Sequence, residues 1–211
     1  MNNIENLIKA HKLIAVLTIE DENTAVPIAK ALCEGGVKAI ELTLRTATAL
    51  ESIRRIIAEV PEMTVSAGTV LEPKQVKQVI DAGAHFAVAP GCSRRVLEAA
   101  KEAGLAFAPG IMTPSDIEKA LEYDCKILKF FPAGTTGGIK HLEAMSAPYN
   151  HLGVKYIPLG GVNVTNFASF VANPLIAAVG GSWLATPAQV KACDCEAIKA
   201  QALEASSILK A

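Results

Sequence analysis

A lysine stands in the middle of an apolar run. In "KILKFF", residues 126–131, Lys129 is flanked by Ile127, Leu128, Phe130 and Phe131. Its charge is costly to bury unless it is paired, reaches water or is absent. Strand alternation puts Ile127, Lys129 and Phe131 on one face and Leu128 and Phe130 on the other. Burial disfavours the ammonium form, and a neutral amine is a nucleophile that can form a Schiff base with a ketone. The alternatives are a lysine whose stem runs to the rim of the fold, or one paired with Glu41. Glu41 belongs to "IELTLR", residues 40–45, where the same alternation groups Glu41, Thr43 and Arg45. Taken alone, that carboxylate and guanidinium are equally well an internal ion pair that fills space. With Glu41 and Arg45 on the same interior face, the reading of Lys129 as a nucleophile becomes the favoured one.

Two further patterns bear on a ligand. In "VSAGTV", residues 65–70, Val65, Ala67 and Thr69 share a face. Small residues let a ligand approach the backbone, and Thr69 offers a hydroxyl, although the same triplet also reads as a strand ending in a turn. "PLGGVN" (158–163) and "VGGSWL" (179–184) each carry a glycine pair at a strand end. Backbone N–H groups there suit a phosphate, with Ser182 as a further donor; the alternative is two tight turns. The four histidines are scattered without acidic partners, so no metal site is expected. No dinucleotide or P-loop glycine motif is present. Cys92, after "APG", has nothing beside it that argues for a reactive thiol.

The elements that would position these groups recur along the chain. Strand-length apolar runs occur at 13–19, 39–44, 64–69, 85–90, 105–111, 126–131, 154–160 and 175–181. Each is bounded by Gly or Pro, and their starts lie roughly one strand–helix unit apart. The intervals read as amphipathic helices that run into a glycine, as in "EPKQVKQVIDAGA" and "SRRVLEAAKEAGL". Eight alternating units predict a parallel sheet covered by helices, and a (β/α)8 TIM barrel as its closed form; an open doubly wound sheet is the alternative. No linker interrupts the pattern, so residues 1–211 are read as a single small domain.

Composition limits the partners. A net charge of −1 provides no basic field for nucleic acid or anionic membrane, so an anionic substrate must be held by local groups. No apolar run reaches the roughly 18–20 residues of a membrane span. "MNNIENLIKAHK" lacks a basic region followed by an apolar core, so no signal peptide is expected. Five scattered cysteines fit a reduced, cytoplasmic protein.

The motifs "GGVKAIELTLRT", "SAGTVL", "FAVAPG", "PGIMTPSDI", "LKFFPA", "GGIKHLEAMSAPY", "PLGGV" and "VGGSWL" together resemble the KDPG/KHG aldolases, in order from about residue 5 to residue 205. The resemblance implies a metal-free, cofactor-free class I aldolase of small (β/α)8 fold, a homotrimer whose partner is a small 2-keto acid or sugar phosphate. It assigns Lys129 as the Schiff-base lysine and Glu41 as the general acid/base. Arg45 would bind the pyruvate carboxylate with Thr69 beside it, while Phe131 and Pro90 would line the site. Gly160, Gly161, Gly180, Gly181 and Ser182 would hold the substrate phosphate. The sequence departs from the pattern at Leu159, where the family commonly has threonine, and at Thr18, where some relatives carry arginine. The first departure leaves the C4 preference, and the choice among the gluconate, 4-hydroxy-2-oxoglutarate and galactonate-derived substrates, open.

Overall fold

A computed structural model describes residues 4–8 and 11–209. The reading of the first twelve residues as free of a leader therefore falls partly outside the described residues. Strands and helices alternate from β1 (Leu13–Leu17) onward. The strands are β2 (Ala39–Thr43), β3 (Thr64–Gly68), β4 (Phe86–Val88), β5 (Phe107–Ala108), β6 (Gly110–Ile111), β7 (Ile127–Phe130), β8 (Lys155–Pro158) and β9 (Val179–Gly181). The helices that cover them are α2 (Ala25–Glu34), α3 (Ala49–Glu59), α4 (Pro73–Asp81), α5 (Arg94–Glu102), α6 (Pro114–Glu122), α7 (Gly138–Ser146), α8 (Phe167–Val171), α9 (Pro187–Ala192) and α10 (Cys195–Ile208), with α1 (Ile4–Ile8) ahead of β1.

Local sequence explains the helix ends. In "TPSD" Thr113 caps α6 by accepting from the Asp116 backbone N–H, while Asp116 accepts from the Thr113 N–H and Pro114 occupies the first turn. "TPAQ" does the same for α9 through Thr186 and Gln189. Beyond α4 and α5 the chain turns at Gly83 (φ 84°) and Gly104 (φ 67°), the left-handed residues expected there.

Every strand pair is parallel, so the chain is a parallel-strand α/β fold. One sheet runs β5-β4-β3-β2-β1-β9 and the other β6-β7-β8. The fifth predicted run is split at Pro109, whose carbonyl accepts from Lys129 N–H at 2.9 Å. Proline has no N–H to give the ladder, which is why one run becomes two short strands. At the far edge, Tyr156 N–H donates to Leu175 O and Ala177 N–H donates to Tyr156 O, each at 2.9 Å. These bonds place Tyr156 opposite Ile176 in a parallel bridge, three residues before β9 begins.

The two strand faces bury different cores. Ile40, Leu42, Val65, Ala67, Leu128 and Phe130 join the larger cluster packed under the helices. The opposite faces contribute Ile14, Ala39, Phe86, Val88, Ala108, Ile127, Ile157 and Leu159 to a second cluster, closed at one end by Ile4 and Ile8 of α1. This inner cluster draws on strands of both sheets, and the polar residues with candidate chemistry lie on the same face.

Candidate active site

Lys129 and Glu41 meet on the inner face. Lys129 Nζ donates to Glu41 Oε1 at 2.8 Å, and the two side chains are only 7% and 4% exposed. Glu41 sits in β2, in register between Val16 of β1 and Ser66 of β3. Lys129 sits in β7 between Gly110 and Ile157. The bond therefore spans the two sheets and fixes both side chains from rigid strands. The alternation expected around both residues holds: Ala39 and Ile127 line the inner cluster while their sequence neighbours face the helices. Lys129 is thus paired with Glu41 rather than running to the rim. The arrangement holds an amine and a carboxyl group within one hydrogen bond, screened from water, so a proton can pass between them without solvent.

Gly68 makes room for the carboxylate. A Cβ at this position would collide with Glu41 Oε1, and its Cγ and Cδ lie nearly as close. Within β3 it is Gly68, and Ser66 with it by alternation, that face Glu41; Val65 and Ala67 face the helices. This corrects the grouping of Thr69 with Val65 and Ala67 toward a ligand. The strand ends at Gly68, and Thr69 takes φ 60°, so the alternation stops before it. A β-branched residue in this region costs on the order of 1–3 kcal/mol, a strain that clusters at binding sites. The Thr69 hydroxyl makes no hydrogen bond to another described residue.

Phe131 links the pair to the first glycine turn. Lys129 Nζ lies 5.5 Å from the Phe131 ring centroid. A Cβ on Gly160 would come within 2.9 Å of the same ring. Gly160 (φ 79°) and Gly161 (φ 87°) follow β8 in left-handed conformation, and Gly134 packs directly on them, donating to Gly160 O at 2.7 Å. The glycine-rich stretch after β7, residues 134–138, thus touches this turn through Gly134. Gly180 and Gly181 close β9, at the strand end expected for them: they pair with Ile14 and Ala15 of β1, and the exposed Ser182 begins the following 3₁₀ turn, Ser182–Leu184. Leu159 packs over Gly180 on the inner face, so the position that lacks a hydroxyl is filled with carbon. Pro90 follows β4 and packs against Gly110, the register partner of Lys129.

Arg45 is exposed just beyond β2. Its Nη2 donates to Thr18 Oγ1 at 2.6 Å and its Nε donates to Thr43 Oγ1 at 3.1 Å. The Thr46 and Thr48 hydroxyls both donate to Ile19 O, at 2.6 and 2.7 Å, and tie the loop after β2 to the loop after β1. Thr18 as a partner of Arg45, and Gly68 as the space for Glu41, were not found from the sequence. The signal available for Gly68 was a glycine in a strand beside a candidate catalytic strand. Burial, foremost, pushes the Cys92 thiol up to about 11, which disfavours the reactive thiolate. No group of three or more His, Cys, Asp or Glu side chains able to hold a metal occurs among the described residues. No helix among them is long and apolar enough to cross a membrane.

The family model for KDPG and KHG aldolase matches residues 4–201. A KHG/KDPG aldolase of Escherichia coli is 40% identical over 201 residues, covering 95% of this chain and 93% of its own. Among solved structures, the KDPG aldolase of Legionella pneumophila, with pyruvate captured as a covalent carbinolamine intermediate, superposes with a TM-score of 0.89 at 34% identity, covering 94% of this chain and 96% of that one. The 2-keto-3-deoxy-6-phosphogluconate aldolase of Zymomonas mobilis with 3-phosphoglycerate superposes with a TM-score of 0.91 at 37% identity, covering 99% and 97%. A family match over nearly the whole chain agrees with the buried lysine–carboxylate pair on the inner face: the protein belongs to the KDPG and KHG aldolase family.

Proposed function

We propose that the protein is a class I aldolase that reversibly cleaves 2-keto-3-deoxy-6-phosphogluconate to pyruvate and glyceraldehyde 3-phosphate. The observation that carries the reading is the 2.8 Å hydrogen bond between buried Lys129 and Glu41. Transfer of a proton from Lys129 to Glu41 frees the lone pair on Nζ, which attacks the C2 ketone. Glu41 protonates the departing hydroxyl of the carbinolamine, and loss of water leaves a protonated imine. Glu41, now a carboxylate, takes the C4 hydroxyl proton as the C3–C4 bond breaks, and the bonding electrons move into the imine. Glyceraldehyde 3-phosphate leaves; the enamine is protonated at C3 and hydrolysed by one water, returning Lys129 and pyruvate. Arg45 holds the keto-acid carboxylate by a charge-assisted pair. Thr69, Phe131 and Pro90 line the site, and Gly160, Gly161, Gly180, Gly181 and Ser182 take the phosphate. Of these, the Gly160–Gly161 turn has the better support, because it follows its strand and leans on Phe131.

The same reading includes closure into a (β/α)8 barrel of a single domain, supported by the Tyr156–Ile176 bridge and by the inner cluster shared between both sheets. The homotrimer and the absence of a cofactor are carried forward from the family resemblance, the cytoplasmic location from the scattered cysteines, and sedimentation of the purified chain tests the trimer. A second substrate reading rests on Leu159. Its buried carbon side chain offers no hydrogen bond to a substrate hydroxyl, which favours broader use of 4-hydroxy-2-oxoglutarate or the galactonate-derived epimer. Coupled detection of pyruvate from the three substrates tests both readings. The phosphorylated gluconate is expected to give the highest kcat/KM, with the epimer less than about a hundredfold behind. No pyruvate from any of them would rule out the aldolase assignment.

A further inference from the structure

The Arg45 guanidinium is held by an unusual partner: a pair of threonine hydroxyls in the place where a carboxylate would sit. Thr18 Oγ1 and Thr43 Oγ1 are 2.8 Å apart, one accepting from Nη2 and the other from Nε. These two nitrogens form one edge of the guanidinium fork. Among the described residues Nη1 has no acceptor, so the edge made by Nη1 and Nη2 is open.

The direction of the hydroxyl bond follows from accounting. Each threonine hydroxyl has one hydrogen to give. Both oxygens accept from Arg45, and their mutual bond uses one of the two hydrogens. If Thr18 donated, the Thr43 hydrogen would be stranded in a residue only 3% exposed, with no acceptor among the described residues. A buried orphan donor is expensive, whereas half-buried Thr18 can give its hydrogen to water or ligand. Thr43 therefore donates to Thr18, and Thr18 Oγ1 is the hub that accepts from both Thr43 and Arg45. The hub is itself fixed, because Ile19, next in the chain, takes the Thr46 and Thr48 hydroxyl bonds from the loop that carries Arg45.

We propose that Thr18 is a positioning residue for substrate binding: its hydroxyl, relayed from Thr43, occupies the Nε–Nη2 edge of Arg45 and presents the Nη1–Nη2 edge to the carboxylate of the 2-keto acid. The inference rests on the aldolase reading and adds a residue to it. An exposed arginine free of this hub would have to be ordered by each substrate in turn, a cost the threonine pair removes in advance. The carboxylate contact persists from bound substrate through the transition state, so its loss raises KM and leaves kcat in place. Thr18 is predicted to matter more than Thr43, since removing the hub breaks the Nη2 bond and also strands the Thr43 hydrogen.

The test is borohydride trapping of wild type, Thr18→Val, Thr18→Ser and Thr43→Val across a pyruvate titration, repeated with acetone, a ketone without a carboxylate. The pyruvate concentration for half-maximal trapping is expected to rise about tenfold in Thr18→Val. It should rise less in Thr43→Val and stay near wild type in Thr18→Ser. The rate of acetone trapping should be the same in all four. Unchanged pyruvate dependence in Thr18→Val, a parallel fall with acetone, or failure of serine to restore the wild-type value would each overturn the inference while leaving the aldolase reading standing. A wild type that forms no pyruvate adduct would sink both. Should Thr18→Val not fold, Thr18→Ala against Thr18→Ser gives the same one-hydroxyl contrast.

Discussion

Two ion pairs of almost equal length occupy opposite environments in this molecule. On the outer surface of α4, Lys77 Nζ lies 2.9 Å from Asp81, with side chains 81% and 51% exposed. On the inner face of the strands, Lys129 Nζ lies 2.8 Å from Glu41 with both side chains almost wholly buried. The surface pair joins flexible side chains one helical turn apart in water and salt, and such pairs contribute little. The inner pair joins two sheets, and removing one member leaves the other buried and uncompensated. Distance alone therefore does not distinguish a solvated contact from a reactive one. Burial and rigid support from strands do.

Substitutions sharpen the contrast, and they rank by expected effect. Lys129→Met should abolish pyruvate release to background in the coupled assay, because no other described lysine is paired with Glu41. Glu41→Gln keeps the shape but cannot carry the proton, and kcat should fall by about 10²–10⁴-fold in steady-state kinetics. Each of these singly substituted proteins should also unfold more easily in urea, by up to about 3–5 kcal/mol, with the amide variant toward the lower end. Gly68→Ala comes next: its methyl group collides with the Glu41 carboxylate. Displacing that carboxylate by a fraction of an ångström should lower kcat roughly ten- to a hundredfold with little change in the fold by circular dichroism. At the bottom of the order, Asp81→Asn, which cuts the surface pair, should leave both kcat/KM and the urea midpoint within error of wild type. A marked loss of stability in Asp81→Asn, or none in Lys129→Met, would break the comparison.

The legible parts of this protein were those written in local pattern. Period two identified the faces of β2 and β7, and so set Glu41 and Lys129 on one interior face. Glycine and proline punctuation located the strands and helix ends. The illegible parts depend on long-range packing. Nothing local to "PGIM" says that Pro109 interrupts a ladder, because that depends on which strand lies beside it. Nothing in "LIAAVGG" says that the ladder with β1 begins only at Val179; the pairing itself decides that. The role of Gly68 required knowing that β3 lies against β2 in a register that sets Gly68 opposite Thr43 and beside the Glu41 side chain. Thr18 and Arg45 stand 27 residues apart and meet only because β1 and β2 are neighbours with tied loops. The aldolase motifs showed which residues to connect, and the packing showed what holds them in place.

The central claim is that Lys129 is a nucleophile poised by Glu41 rather than half of an inert ion pair. Incubation with pyruvate and sodium borohydride, followed by peptide mass mapping, tests it most directly. The account predicts one reduced pyruvate adduct per chain, located on Lys129, absent without pyruvate and absent in Lys129→Met. An adduct on another lysine, or none at all from folded wild-type protein, would contradict it.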